Sequence, residues 1–181
     1  MSKVYFIGDL HLGHKSICKF SGALRGGCTT IEEHDAWIME QWNSTVNKND
    51  LIYVMGDVAF DKDRLPLLKR MKGNKHLILG NHDKFSLNHY KPFFNKIHGF
   101  EKYKGKAWLS HAPIHPGSLR DLWNIHGHLH SSGLDDSRYV CVSVEALNGK
   151  PISWDEIVHK QFMLVADRVM EKHHDTFERL K

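Results

Sequence analysis

The sequence predicts an α/β fold built on a parallel sheet, with its chemistry gathered along one edge. Three observations predict it. Short apolar runs of strand length alternate with helical patterns through the first half of the chain. Each of the first three runs ends in a glycine followed by a metal-competent side chain: Gly8-Asp9, Gly56-Asp57 and Gly80-Asn81. Two later runs end in Ser110-His111 and in Gly127-His128-Leu129-His130.

The first strand is VYFIG at residues 4–8, running into Asp9, His11 and His14. A loop marked by Gly22, Gly26 and Gly27 follows. Thr30 then precedes Glu33 at capping-box spacing, and Ile31, Trp37, Ile38, Trp42 and Val46 recur at helical intervals. An amphipathic helix is expected over residues 31–46, its apolar face in the core. LIYVM at residues 51–55 is the second strand. Leu65, Leu68 and Met71 predict a short helix stopped at Gly73. HLIL at residues 76–79 is the third strand, and this order calls for right-handed crossovers.

Beyond residue 95 or so the pattern turns strand-like, at residues 107–110, 122–127 and 138–144. Ser153 and Glu156 form another capping box, opening a C-terminal amphipathic helix from about residue 154. Its Ile157, Phe162, Val165, Val169 and Met170 are expected to pack on the sheet, with a homodimer contact as the alternative. Nothing divides the chain, so residues 1–181 are read as one domain.

Composition excludes several classes. Apolar and charged fractions of 41% and 25% are those of an ordinary globular protein. No run approaches the ~18 apolar residues of a membrane span, and the N-terminus shows no secretory pattern, so a cytoplasmic location without membrane contact is expected. Three cysteines without close spacing predict neither a disulfide framework nor a thiolate zinc site. A net charge of +4 suits an anionic substrate without pointing to nucleic acid. The 15 histidines are the unusual feature, since imidazole is the commonest metal ligand.

In open parallel sheets, ligands sit beyond the carboxyl ends of the strands. There the topology brings together Asp9, His11, Asp57, Asn81 and His82, joined by His111, His128 and His130. In an extended segment, His128 and His130 point to one face and can each reach one of two adjacent ions. Oxygen and imidazole donors without thiolate suit Mn foremost, and also Fe, Zn or Ni. Asp57 is the natural bridge. Two divalent ions ~3.5–4 Å apart can hold a hydroxide for in-line attack on a phosphoryl group. His82, next to Asn81, is placed to stabilise charge or protonate a leaving oxygen, and Asp83 to orient an imidazole by hydrogen bonding. His14 is a candidate phosphate contact. His115 and His126 are expected to be loop or packing residues, and His34, His173 and His174 to face solvent or make local hydrogen bonds.

The ordered set GDLHLGH, GDVA, GNHD, SHAP and GHLHS resembles the calcineurin-like metallophosphoesterase superfamily, with its small cap-less bacterial and phage members nearest. The segments WNSTVNKNDLIYVMGDVA and VSVEALNGKPISWDEI resemble that subgroup's connecting and C-terminal stretches. The resemblance implies a four-layer α/β/β/α sandwich. It implies that Asp9, His11 and His130 hold one metal, that Asn81, His111 and His128 hold the other, and that Asp57 bridges. It marks His82 as the catalytic histidine. Residues 15–29 depart from the subgroup's usual Arg-Pro-Phe-like segment, and Arg25 is expected to stand in for that arginine as a substrate contact.

The expected function is hydrolysis of a phosphate ester, with diesters favoured: a nucleotide, a cyclic phosphate or a nucleic acid end. About 27 residues separate Asp83 from His111, too few for a capping domain. Monoester hydrolysis on a small molecule or phosphoprotein, and a non-catalytic metal-binding scaffold, are the alternatives. A nuclease would show a longer basic track and stacking aromatics. The chain is expected to be a monomer or homodimer.

Overall fold

The computed structural model describes residues 2–179, and within the C-terminal helix the side chains up to 167 and that of Met170. The side chains of Val169, His173 and His174 lie outside those described.

Two sheets face each other, flanked by helices. Strands β1 (Val4–Ile7), β2 (Leu51–Val54), β3 (Asn74–Ile78) and β4 (Lys96–His98) are parallel, in spatial order β4-β3-β2-β1, and β9 (Ile152–Ser153) closes the edge antiparallel to β1. The second sheet runs β5 (Glu101–Tyr103), β6 (Ala107–Ser110), β7 (Trp123–His126), β8 (Tyr139–Cys141), with only β5 antiparallel.

The first three strands read as unbroken apolar runs because both faces are buried. Tyr5 and Ile7, Ile52 and Val54, and Leu77 point to an outer core shared with a helix. Phe6, Tyr53, Met55 and Ile78 point the other way, against Tyr103, Leu109, Ile125 and Val140 of the second sheet. The strand period of two thus builds two cores from one sheet.

The outer core is covered by α2 (Ile31–Thr45), after the short helix α1 (Ile17–Ser21) and a 3₁₀ turn at Gly22–Leu24. The Thr30 hydroxyl accepts from the Glu33 amide at 3.3 Å while Glu33 accepts from the Thr30 amide at 3.1 Å, closing the expected capping box. Ile38 and Trp42 are fully buried, and the Trp42 indole donates to the Lys72 carbonyl at 2.8 Å. The short helix expected around Leu65 is a 3₁₀ helix, Lys62–Arg70, with Pro66 inside it. Pro66 has no amide to give an α-helical ladder and its ring would clash with the carbonyl four residues back, which opposes an α-helix here. Two four-residue helices follow, α3 (Leu87–Tyr90) and α4 (Pro116–Leu119), the latter capped by His115.

The run at residues 138–144 divides its labour. At Val142 the chain passes from β7 to β1: its amide donates to the His126 carbonyl at 2.8 Å, its carbonyl accepts from the Gly8 amide at 2.7 Å, and the Val144 amide donates to the Gly8 carbonyl at 3.1 Å. The two sheets are therefore stitched together at the carboxyl ends of their strands.

Helix α5 spans Trp154–Arg179 and opens on Ser153, whose amide donates to the Glu156 carboxylate at 2.8 Å. The expectation that its whole apolar face packs on the sheet is corrected. Trp154 and Ile157 enter the core between the sheets, but Phe162, Met163, Leu164 and Val165 are all exposed. Four consecutive exposed residues circle the helix, so this turn does not bury an apolar face as the first turn does. Among the described residues no helix is long and apolar enough to cross a membrane. The cysteines are free thiols, with Cys28 resting against Cys18.

Candidate metal centre

The strand ends deliver their polar side chains into one cluster. The ligand atoms of Asp9, His11 and His130 lie within 4.8 Å of one another, and so do those of Asp9, Asp57 and His111. His111 Nε2 lies 2.8 Å from Asn81 Oδ1 and 3.2 Å from His128 Nδ1, which is itself 3.0 Å from Asn81 Oδ1. Donors ~2.1 Å from a six-coordinate ion are about 3 Å apart, so this spacing is that of a coordination shell. All seven residues expected as ligands are brought together. Asp9, His11, Asp57 and His111 form the buried floor, while Asn81 and His128 are exposed.

Each half of the cluster aims an imidazole by its far nitrogen. His111 Nδ1 faces the Met55 carbonyl at 2.7 Å, an acceptor, so this nitrogen carries the proton and Nε2 presents its lone pair. That lone pair faces the Asn81 carbonyl oxygen, another acceptor, a repulsion that a bound cation would relieve. His130 Nδ1 faces Glu145 Oε1 at 3.0 Å, leaving Nε2 for the centre. His11 is 3% exposed and neither of its ring nitrogens has a hydrogen-bond partner. Burial first, then the Arg25 charge and neighbouring histidines, push its pKa down to about 2, so the ring is neutral and able to ligate. A neutral buried imidazole without hydrogen-bond partners, among carboxylates and other imidazoles, fits a metal site.

Backbone conformation is unusual at the same places. Asp9, His11, Asp57, His128 and His130 have φ of 59, 51, 55, 69 and 53°, in the left-handed region. Such angles cost of order 1–3 kcal/mol each and cluster at functional sites. The strand-end glycines serve close approach: a Cβ on Gly56 would stand 2.5 Å from His111 Nδ1, and one on Gly127 2.5 Å from Asp9 Oδ2.

Two expected roles are corrected. Asp83 orients no imidazole. Its Oδ2 accepts from the amides of Gly80 at 2.8 Å and Asp57 at 2.9 Å, and its Oδ1 from the amide of Val58 at 2.9 Å. It clamps the ends of β2 and β3 together. Arg25 cannot meet substrate, because it is wholly buried and its five N–H groups are all engaged. Nε and Nη2 reach Glu145 Oε1 at 2.8 and 2.7 Å, and Nη2 also donates to the Asp9 carbonyl at 2.8 Å. Nη1 reaches the Leu10 carbonyl at 3.2 Å and His34 Nε2 at 3.0 Å. His34, expected toward solvent or in local bonds, is fully buried in this network and also bonds Asp35.

Glu145 was missed by the sequence reading. It links Arg25 to His130, and only an acid inside the apolar run VSVEAL signals it. Burial alone would raise its pKa, but the His130 hydrogen bond and the Arg25 charge hold it down at about 2. Replacing Arg25 by Leu leaves this buried carboxylate with His130 alone and takes the Arg25 donor from the Asp9 and Leu10 carbonyls. The expected loss is ~3–5 kcal/mol of folding stability, read by denaturant titration; a loss below about 1 kcal/mol would show the network to be dispensable.

Beside the cluster opens a cavity of about 520 Å³ lined by His11, His14, His82 and His130 together with Phe20 and Phe60. The Phe60 ring stacks on His14 at 4.0 Å and lies 4.7 Å from that of His82. His82 directs its amide, at 2.9 Å, to Asp57 Oδ1. His126 is a packing residue as expected, buried and bonded to the Gly127 carbonyl at 2.8 Å.

A family model for the calcineurin-like phosphoesterases matches residues 2–177. Over 170 residues the chain is 33% identical to an uncharacterized protein of Methanocaldococcus jannaschii, a match covering 87% of this chain and 90% of that one. It is 36% identical over 88 residues to the Gene 66 protein of Mycobacterium phage L5, spanning 46% of this chain and 41% of its relative. Among solved structures, a protein of unknown function from Aquifex aeolicus superposes with a TM-score of 0.70 at 25% identity, covering 88% of this chain and 99% of that one.

Proposed function

Because the chain belongs to the calcineurin-like phosphoesterase family, we propose that it is a metal-dependent hydrolase of phosphate diesters working through two divalent ions. The observation that carries this reading is the convergence of unpaired acceptors: His11 without partners, and His111 Nε2 at 2.8 Å from the Asn81 oxygen. Asp9, His11 and His130 are assigned to one ion, and Asn81, His111 and His128 to the other. Asp57 is assigned between them. Its Oδ2 lies 3.8 Å from His11 Nε2 and 3.5 Å from His111 Nε2, facing both halves. Asp9 also belongs to both groupings, but both its oxygens already accept from the His128 amide, at 2.9 and 3.1 Å. Asp57 is the better bridge on that ground.

When bound, the ions lower the pKa of water and neutralise charge on the phosphoryl oxygens. The chain's own contribution is to hold the donors rigid and to bring His82 alongside, where it can protonate the departing oxygen. An alkoxide is a poor leaving group and gains most from that proton, in monoesters and diesters alike, and diesters are the class proposed. Mn is the first choice of metal, with Fe, Zn and Ni also suited to these donors.

The test is hydrolysis of bis-p-nitrophenyl phosphate and p-nitrophenyl phosphate by protein loaded with Mn²⁺, Fe²⁺, Zn²⁺ or Ni²⁺. Turnover that depends on the metal, stops with chelator and runs faster on the diester is expected. Faster monoester hydrolysis would move the reading to a phosphatase. Silence on both esters with every metal would leave a scaffold.

A further inference from the structure

From the cavity beside the metal cluster we infer that the ester carried to this site is a nucleotide, with its base held against Phe60 and Phe20. The inference rests on the phosphoesterase reading above and names the substrate class for the same site. The cavity has two kinds of lining. His11, His82 and His130 belong to or adjoin the cluster, where a phosphate belongs. Ile17, Phe20, Phe60 and Leu129 add apolar surface, Phe60 packing beside His11 and His82 at 5.2 and 4.7 Å, and Ser21, Ser131 and Ser132 add hydroxyls.

Single exposed apolar side chains are ordinary on a protein surface. Here two phenyl rings line one concavity next to the reacting centre, Phe20 at 77% and Phe60 at 38% exposure. A phosphorylated sugar alone would leave both faces unused. A planar neutral ring is what an aromatic wall without charges takes up, and base stacking of this kind is tolerant of which base it is. The serine hydroxyls can serve the base edge or ribose.

Phe60 is set in place before any ligand reaches it. It follows Asp57 by three residues, its amide donates to the Leu12 carbonyl at 2.9 Å, and its ring is backed by His14 at 4.0 Å. A surface so fixed loses little freedom on binding. The volume of about 520 Å³ is that of a site for one small ligand, not a track for a strand.

The experiment compares calorimetric binding of adenosine 5′-monophosphate and ribose 5-phosphate to Mn²⁺-loaded protein, which differ only in the base. Adenosine monophosphate should bind roughly tenfold tighter or more, the scale of stacking on aromatic side chains. Phe20→Ala, at an exposed position that leaves the fold intact, should bring the ratio toward one, and Phe20→Trp should restore it with quenching of the new indole by the base. Equal affinities in the wild type, or an unchanged ratio in Phe20→Ala, would overturn the subsite. Bis-p-nitrophenyl phosphate turnover by the same samples tests the hydrolase reading separately, because base preference is read from binding alone.

Discussion

Asp57→Asn is expected to leave a folded protein that no longer holds two ions and no longer turns over phosphoesters. The substitution keeps the shape of the side chain. It also keeps the backbone possible, since Asn enters the left-handed region in which Asp57 sits at φ 55°. The Asp83 carboxylate still accepts from the residue 57 amide, because that bond uses only the main chain of residue 57. What is removed is the negative charge on Oδ2, the atom that faces His11 at 3.8 Å and His111 at 3.5 Å. Losing a hydrogen-bond partner behind a ligand costs about 10–100-fold in metal affinity, and losing the charged ligand shared by both ions should exceed that. Metal analysis after equilibrium dialysis gives the answer. Two ions per chain retained in the variant would place the bridge elsewhere, with Asp9, common to both groupings, the next choice.

His82→Ala should behave in the opposite manner, keeping its metals and losing turnover by roughly 10²-fold or more. The His82 amide donates to Asp57 Oδ1, a bond the alanine retains, so the ligand arrangement need not shift. Its ring lies on the cavity wall between Phe60 and His11, with centroids 4.7 and 6.0 Å away, where a leaving oxygen can reach it. If the ring supplies a proton, the loss should be larger for an alkyl ester than for a p-nitrophenyl ester, whose leaving group needs little help. Equal losses on both would assign His82 to charge stabilisation alone. Unchanged turnover would remove it from the reaction.

The legible part of this site was the part written locally. Asp9 with His11, Asn81 with His82, and His128 with His130 are near neighbours in sequence, each following an apolar run whose strand character its β-branched and aromatic residues declare. A glycine before each pair marks the end of the strand. The network behind the ligands was not legible, because its members meet only in three dimensions: Arg25 and Glu145 are 120 residues apart, and neither lies in a pattern. Arg25 on a glycine-rich loop reads as a surface cation until its four partners, Glu145, Asp9, Leu10 and His34, are seen. Asp83 misled for a related reason, since its partners are backbone amides, which no side-chain pattern records. Phe60 stands directly after GDVA and reads as one more apolar residue; only folding sets it beside His14. The strands at Lys96–His98, Glu101–Tyr103 and Ile152–Ser153 are two or three residues long, too short for alternation to show.

The left-handed backbone at Asp9, His11, Asp57, His128 and His130 narrows what can ever occupy those five places. Asn, Asp and His enter that region more readily than other residues bearing a Cβ, and they are also oxygen and nitrogen ligands. Main chain and coordination chemistry thus vote for one short alphabet. A glutamate, its carboxylate no worse a ligand, is disfavoured by the torsion it would have to adopt.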